Sequence, residues 1–194
     1  MRRLGFRLGV LAVTGGTAAL VLAGLPALAS TGAASARGIT GPEVISGAVH
    51  GKAANANTPR IPLTFRGVVS TRAVIVLGGG SGPHKGSIKS ISSAAGRFTI
   101  RVSAKPQSSQ TFSLRTCRET FTEYIPYNVV GSLSTGAFAG ASGPGAVQIY
   151  FAAFAPRYKS GPKKGQCNTS NNAQPLNRGA VASFLASTVL TIRG

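Results

Sequence analysis

The chain is poor in the residues that most often carry enzymatic chemistry. Its 194 residues include no aspartate, three glutamates, two histidines, two cysteines and no tryptophan. His50 and His84 lie in separate glycine-rich stretches, which disfavours both a cysteine–histidine pair and a zinc site of four clustered ligands. A phosphate-binding loop, a zinc-binding helix motif and a nucleophile elbow are also missing from the sequence. The sequence therefore predicts no catalytic residue, no metal site and no cofactor.

Negative charge is especially scarce. Against the three glutamates stand 21 lysines and arginines, which gives a formal net charge of +18. Such an imbalance favours contact with polyanions. The basic residues are scattered along the chain, apart from a run at 157–164, and neither a helix-turn-helix nor the aromatic signature of an RNA-binding sheet is found. We expect no specific nucleic-acid binding. An anionic cell-wall polymer is the candidate partner, and charge that serves only solubility is the alternative.

The first 29 residues have the pattern of an export signal. Arg2, Arg3 and Arg7 precede a long uncharged run that ends in the small-residue sequence Ala27-Leu28-Ala29. This arrangement predicts a signal peptide at 1–29, cleaved to give a secreted or cell-wall-associated protein without a membrane anchor. An uncleaved anchor is the alternative reading of an apolar run of this length. Removal of the three arginines leaves 18 basic residues against three glutamates, a net charge of about +15.

The two cysteines, Cys117 and Cys167, are separated by 50 positions. An even number of cysteines in an exported chain predicts a disulfide bond.

Hydrophobic residues alternate with polar ones in most of the remaining chain. Residues 30–59 are small and polar, so we interpret most of this segment as a flexible lead-in, with a short strand at 43–50 as the alternative for that part. From residue 60 onward period-2 alternation prevails, as in the run Ile61, Leu63 and Phe65. This periodicity predicts one all-β domain over 60–194, with seven or eight antiparallel strands. The predicted strands are 61–69, 71–77, 87–92, 97–104, 110–130, 146–155 and one or two within 180–193.

One of these predicted strands is too long to be straight. In 110–130, Phe112 and Leu114 share one parity, whereas Cys117, Phe121 and Ile125 share the other. A change of parity near Cys117 predicts a β-bulge, which inserts one residue and exchanges the two faces.

A β-barrel and a β-sandwich both fit short strands of this kind. A glycine-rich run following the valines at 129–130 favours the barrel, and its residues are Thr135, Gly136, Phe138, Gly140, Ala141, Gly143 and Gly145. This run resembles the glycine-rich motif of allene oxide cyclase and dirigent-like proteins. The resemblance implies a small antiparallel barrel in which the glycines permit a sharp bend and Phe138 fills the barrel end. A wider pattern consists of residues 117–131, the glycine-rich run and the second cysteine within 165–175. This pattern resembles uncharacterised exported proteins of actinobacteria, a resemblance that implies no activity.

Four residues of the predicted strand 110–130 are candidate contacts in the barrel lumen: Glu119, Glu123, Tyr124 and Tyr127. The two tyrosines flank Pro126 near the predicted barrel mouth, and the alternative for them is an ordinary strand position. Residues four apart on a strand share a face, so Glu119 and Glu123 face the same side as Phe121. They can line a polar lumen, as a general acid or as ligand-orienting groups. Alternatively, they form cross-strand salt bridges with arginines on the surface.

Three functions remain open from the sequence. The leading hypothesis is a non-enzymatic exported barrel that binds a small hydrophobic ligand or associates with the anionic cell envelope. The resemblance also allows a barrel that confines or isomerises a reactive small molecule. The third is a basic wall-adhesion protein that needs no cavity. A cavity lined by glutamate and tyrosine favours the first two, and a lumen filled with apolar side chains favours the third.

Overall fold

The computed structural model describes residues 38–56, 58–77, 82–170 and 173–193. They form nine antiparallel strands: β1 (Ile39–His50), β2 (Arg60–Gly67), β3 (Thr71–Val76), β4 (Ile88–Ser93), β5 (Gly96–Val102), β6 (Gln107–Ser113), β7 (Arg118–Val129), β8 (Pro144–Phe154) and β9 (Leu176–Ile192). Three single-turn 3₁₀ helices, Gly51–Ala53, Gly131–Leu133 and Gly136–Phe138, lie between strands. The predicted signal peptide falls outside the described residues.

The strands close into an eight-stranded barrel with one extra strand. The sheet runs in the order β5-β4-β3-β2-β1-β9-β8-β7-β6, and a further pairing of β5 with β7 closes the ring. Full closure removes the open edges that a flat sheet would present. The prediction of a small antiparallel barrel is confirmed, and the sandwich alternative is not observed.

β5 and β6 lie end to end along β7. Val102 of β5 is paired with Tyr127, the N–H of Ser103 donates to the carbonyl of Pro126, and Gln107 of β6 is paired with Tyr124. Only the β5 half of this pairing closes the barrel. The β6–β7 hairpin therefore extends the sheet beyond the closed ring.

Two details of the sequence interpretation need correction. Residues 39–50, predicted to belong to a flexible lead-in, form strand β1, which is paired with β9 along its full length. The change of parity near Cys117 marks the hairpin turn between β6 and β7 and not a bulge, and Cys117 takes a left-handed conformation there (φ 53°). A hairpin with an even number of loop residues, such as the four at 114–117, exchanges the parity just as an inserted residue does, so periodicity alone does not separate the two.

The barrel encloses the main hydrophobic core. Alternate residues point inward, as period-2 strands require, and the inward residues of β2 are Ile61, Leu63 and Phe65, each at most 1% exposed. Small residues on β9, Ala182 and Ala186 among them, face the same interior and leave space for larger side chains from other strands. The sequence alternation of β2 therefore predicts the buried face correctly.

The two ends of the barrel differ in their connections. At one end, which we call the closed end, the chain connects strands through residues 68–70, 94–95 and 130–143. At the opposite end, which we call the basic end, the links are residues 51–59, 77–87, 114–117 and 155–175, together with the 103–106 crossing from β5 to β6. The closed end has two short turns and the segment 130–143, whereas the basic end combines two four-residue links with three longer connections.

Candidate functional site

Side chains of the described strands pack into the lumen. Near the closed end, Phe98 packs against Phe65, Phe138 and Tyr127 with ring centroids 6.0, 5.3 and 6.4 Å apart. One cavity, bounded mainly by apolar side chains such as Ile125, measures about 30 Å³. Pockets for small molecules typically measure about 300–1,000 Å³. A cavity of this size holds little more than a water molecule.

The two glutamates proposed as lumen residues lie where the sheet extends beyond the closed ring. Glu119 and Glu123 have the inward parity of Ile125 on β7, but both are only partly buried. A carboxylate oxygen of Glu119 accepts a hydrogen bond from the side-chain amide of Gln110. Burial raises the pKa of Glu123. Within the described ranges neither glutamate forms a salt bridge, so the predicted cross-strand pairs with arginine are absent there.

The two tyrosines separate to opposite faces of β7. Tyr124 is 48% exposed and points away from the core, whereas Tyr127 is 1% exposed and lies inside the barrel. Side chains three positions apart on a strand point to opposite faces of the sheet. Of the four residues proposed as lumen contacts, Tyr127 alone is fully enclosed.

Glu43, which the sequence interpretation did not single out, lies inside the barrel at the closed end. It is 0% exposed. Its Oε2 accepts a 2.8 Å hydrogen bond from the backbone N–H of Val69, while its Oε1 has no partner. The only sequence signal for this position is the weak alternation of Glu43, Ile45 and Gly47, which the small polar residues around it conceal.

The electrostatics of this end follow from burial. Burial raises the pKa of Glu43, and the backbone N–H groups of Val69, Val68 and Arg66 offset part of that effect. Burial also raises the pKa of the Tyr127 hydroxyl, and the nearby Glu43 raises it further. Both groups therefore favour their neutral forms more strongly than in water. Both are buried polar groups with separate hydrogen-bond partners, the N–H of Val69 for Glu43 and the carbonyl of Ser187 for Tyr127.

The glycine-rich run folds over the closed end. Thr135 is tied to β5, because its N–H donates to the carbonyl of Arg97 and its Oγ1 accepts from the N–H of Arg97. The turn Gly136–Phe138 then points the Phe138 ring into the lumen, where it is 0% exposed and 5.5 Å from the Phe65 ring.

Backbone geometry explains two glycines of this run. Gly136 (φ 61°) and Gly143 (φ 148°) adopt left-handed or extended positive-φ conformations, and a Cβ on either would collide with the backbone of a neighbouring segment. Two other glycines of the run follow the turn Gly136–Phe138. Gly140 precedes the buried Ala141, and Gly145 is the second residue of β8.

The predicted disulfide is present at the basic end. Cys117 and Cys167 are bonded with their Cα atoms 5.4 Å apart. The bond joins the turn of the β6–β7 hairpin to the long connection between β8 and β9. We call these joined segments, residues 114–118 and 155–170, the basic lobe.

Two arginines organise the basic lobe. The guanidinium of Arg157 donates hydrogen bonds of 2.6 Å to the carbonyls of Gly165 and Arg115, so it bridges both segments. Arg118 donates to the hydroxyl of Tyr150 and lies 5.9 Å from the ring centre of Phe154. The lobe is therefore held by these contacts as well as by the disulfide.

The fold gathers positive charge that is scattered in the sequence. By strand topology, thirteen of the 17 described lysines and arginines lie on connections of the basic end or within three residues of one: Lys52, Arg60, Lys85, Lys89, Arg101, Lys105, Arg115, Arg118, Arg157, Lys159, Lys163, Lys164 and Arg178. The remaining four, Arg66, Arg72, Arg97 and Arg193, lie at the closed end. The lobe alone carries six cations. None of these six cations forms a salt bridge with another described residue, and the carboxylate of the neighbouring Glu119 accepts a hydrogen bond from Gln110.

Other kinds of site are not found in the described ranges. No group of three or more histidine, cysteine or acidic residues there is placed to hold a metal ion. No helix among those residues has the length and apolar character needed to cross a membrane. No family model, no curated protein and no solved structure matches this chain. The basic lobe is therefore the candidate functional site, on the evidence of its own geometry.

Proposed function

We propose that this protein is an exported, non-enzymatic barrel that adheres to an anionic polymer of the cell envelope through its basic end. The observation that carries the proposal is the concentration of thirteen of the 17 described basic residues at one end of the barrel. A surface with one sign of charge attracts an oppositely charged polymer and releases its counterions on contact.

The basic lobe is suited to such contact because its cations are exposed and fixed to a firm base. Arg115, Lys159, Lys163 and Lys164 are exposed and project from segments that the disulfide and Arg157 hold together. Lys163 also lies 5.9 Å from the ring centre of Tyr158, which limits its freedom. Binding to a flexible polymer then costs little ordering on the protein side.

The filled lumen supports adhesion in preference to the two functions that require an internal ligand. A cavity of about 30 Å³ does not accommodate a hydrophobic ligand or a reactive intermediate of ordinary size. The disulfide is consistent with an oxidising location outside the cytoplasm. Export itself remains a prediction from residues 1–29.

The experiment measures binding of residues 30–194, with the disulfide intact, to poly(glycerol phosphate) over a range of salt concentrations. We expect log K to fall linearly as log salt rises, and a neutral glucan to show no binding. The variant Lys163→Gln/Lys164→Gln should reduce the magnitude of the slope by about 0.7 for each lysine that contacts a phosphate, if the value for single-stranded nucleic acids is applied to this polymer.

The matched control is Arg66→Gln/Arg72→Gln, which removes the same charge from two exposed positions at the closed end. We expect this control to keep most of the wild-type slope. Equal losses from the two variants would show that net charge alone attracts the polymer. That result, or binding that does not depend on salt, would contradict adhesion through the basic end.

A further inference from the structure

Strand β6 presents an open edge outside the closed barrel. It is paired with β7 on one side, and among the described residues no strand is paired with its other side. Six of its seven residues are exposed, and Phe112 is partly buried. Alternate residues of such an edge direct free N–H and C=O groups outward, and these groups can form a ladder with an added strand.

The sequence of β6 does not protect this edge. Native proteins commonly protect an exposed edge with charges or proline within the strand. The strand reads Gln-Ser-Ser-Gln-Thr-Phe-Ser and contains neither. Its charged neighbours, Lys105 and Arg115, lie just outside its two ends.

These flanking charges decide which strand fits. If a second copy were added antiparallel about Gln110, the end of β6 that Lys105 flanks in each copy would meet the end that Arg115 flanks in the other, which brings like charges together at both ends. An extended peptide with acidic residues at those two places would instead form opposite-charge pairs. We propose that β6 binds an extended acidic peptide by β-strand addition, with a neutral centre opposite Gln110 and carboxylates near Lys105 and Arg115, which flank the strand.

The existing pairing with β7 indicates which central residues suit the guest strand. Thr111 and Thr120 form a hydroxyl–hydroxyl hydrogen bond of 2.6 Å across the two strands. Ser109 and Ser113 lie on the same face of β6 as Thr111. A guest with threonine at alternate positions can form the same type of cross-strand contact.

The test uses an eleven-residue peptide with aspartate at both ends and alternating threonine and valine between them. Binding to the disulfide-intact chain 30–194 is measured by fluorescence anisotropy, and the site is located by amide hydrogen exchange. We expect new protection of β6 amides. A peptide with the same end charges and a central proline should bind at least ten-fold more weakly, because it cannot complete the ladder.

A charge-exchange pair locates the two flanking contacts. The variant Lys105→Glu/Arg115→Glu should bind the aspartate peptide at least ten-fold more weakly and should prefer a peptide with lysine at both ends. Arg66→Glu/Arg72→Glu, which makes the same charge change at the closed end, should lose less than three-fold. Circular dichroism establishes that both variants are folded.

Three outcomes would overturn the inference. Equal binding of the proline peptide would show attraction by charge alone, which is compatible with polymer adhesion but not with strand addition. Absence of binding or of new β6 protection at millimolar peptide would also overturn it. Sedimentation of the chain as a dimer that is lost on Ser109→Lys substitution would assign the edge to a second copy.

Discussion

The carboxylate of Glu43 on β1 accepts a hydrogen bond from the backbone N–H of Val69, 26 residues further along the chain. This contact fixes the turn between β2 and β3 against the inside of the closed end. Val69 is itself 7% exposed. The side chain that joins these two elements is thus an acid in a largely apolar interior.

Replacement of Glu43 tests the role of this contact. Glu43→Gln retains an acceptor for the N–H of Val69 and removes a charge that burial penalises. We therefore expect the free energy of unfolding at pH 8 to change by less than about 1 kcal/mol or to increase. Glu43→Ala leaves that N–H without its partner and should cost about 1–3 kcal/mol. Urea unfolding of both variants measures the difference, and equal destabilisation would show that the acceptor is unimportant.

The dependence of stability on pH has a definite sign. Burial raises the pKa of Glu43 and of Glu123 above the ordinary value of 4.5. Folding therefore favours their protonated forms, and their stabilising contribution is complete below about pH 4.5. It is lost as the pH rises through the folded-state pKa values. We expect unfolding midpoints in urea to decrease from pH 4.5 to pH 8.

A double variant provides the control for that measurement. Glu43→Gln/Glu123→Gln should make stability nearly independent of pH over this interval. A wild-type protein that becomes more stable as the pH rises would contradict the raised pKa values.

Phe138 should dominate the stability of the closed end. Its ring is 0% exposed and contacts Phe65 and Phe98, so Phe138→Ala should cost about 3–5 kcal/mol. Leu133 lies in the same connection but is 42% exposed, so Leu133→Ala should cost less than about 1 kcal/mol. Similar losses in chemical unfolding would show that Phe138 does not fill the barrel end.

Removal of the disulfide should affect both stability and binding. Cys117→Ser/Cys167→Ser opens a loop of 50 residues, which corresponds to about 4 kcal/mol in the chain-entropy model. The two segments of the basic lobe then separate more easily. If the double variant remains folded, we expect weaker binding to poly(glycerol phosphate) at the same net charge. Unchanged binding would show that the arrangement of the lobe is irrelevant.

The sequence predicts the strands that bury one face, because alternation survives where large residues occupy the inward positions. Ile61, Leu63 and Phe65 on β2 are an example. The alternation does not reveal β1, because glycines occupy two of its inward positions. A Cβ on Gly41 or Gly47 would come too close to β2 or to the turn that follows it. The inward-facing Glu43 weakens the pattern further.

The candidate site depends on topology more than on any motif. Lys105, Arg115 and Arg157 are far apart in the sequence, and they reach one end of the barrel only because antiparallel strands return the chain there. The disulfide could be predicted from two cysteines, but its position between a hairpin turn and a loop required the strand order. Pairing between strands that are distant in the sequence cannot be read from local residue patterns.

Adhesion through the basic end is tested most directly by mapping poly(glycerol phosphate) on the ¹⁵N-labelled chain by amide chemical shifts. We predict that the largest shifts occur in the basic lobe, at residues 114–118 and 155–170, and that they disappear at high salt. Shifts centred on the closed end, around Arg66, Arg72 and Arg97, would contradict adhesion through the basic end.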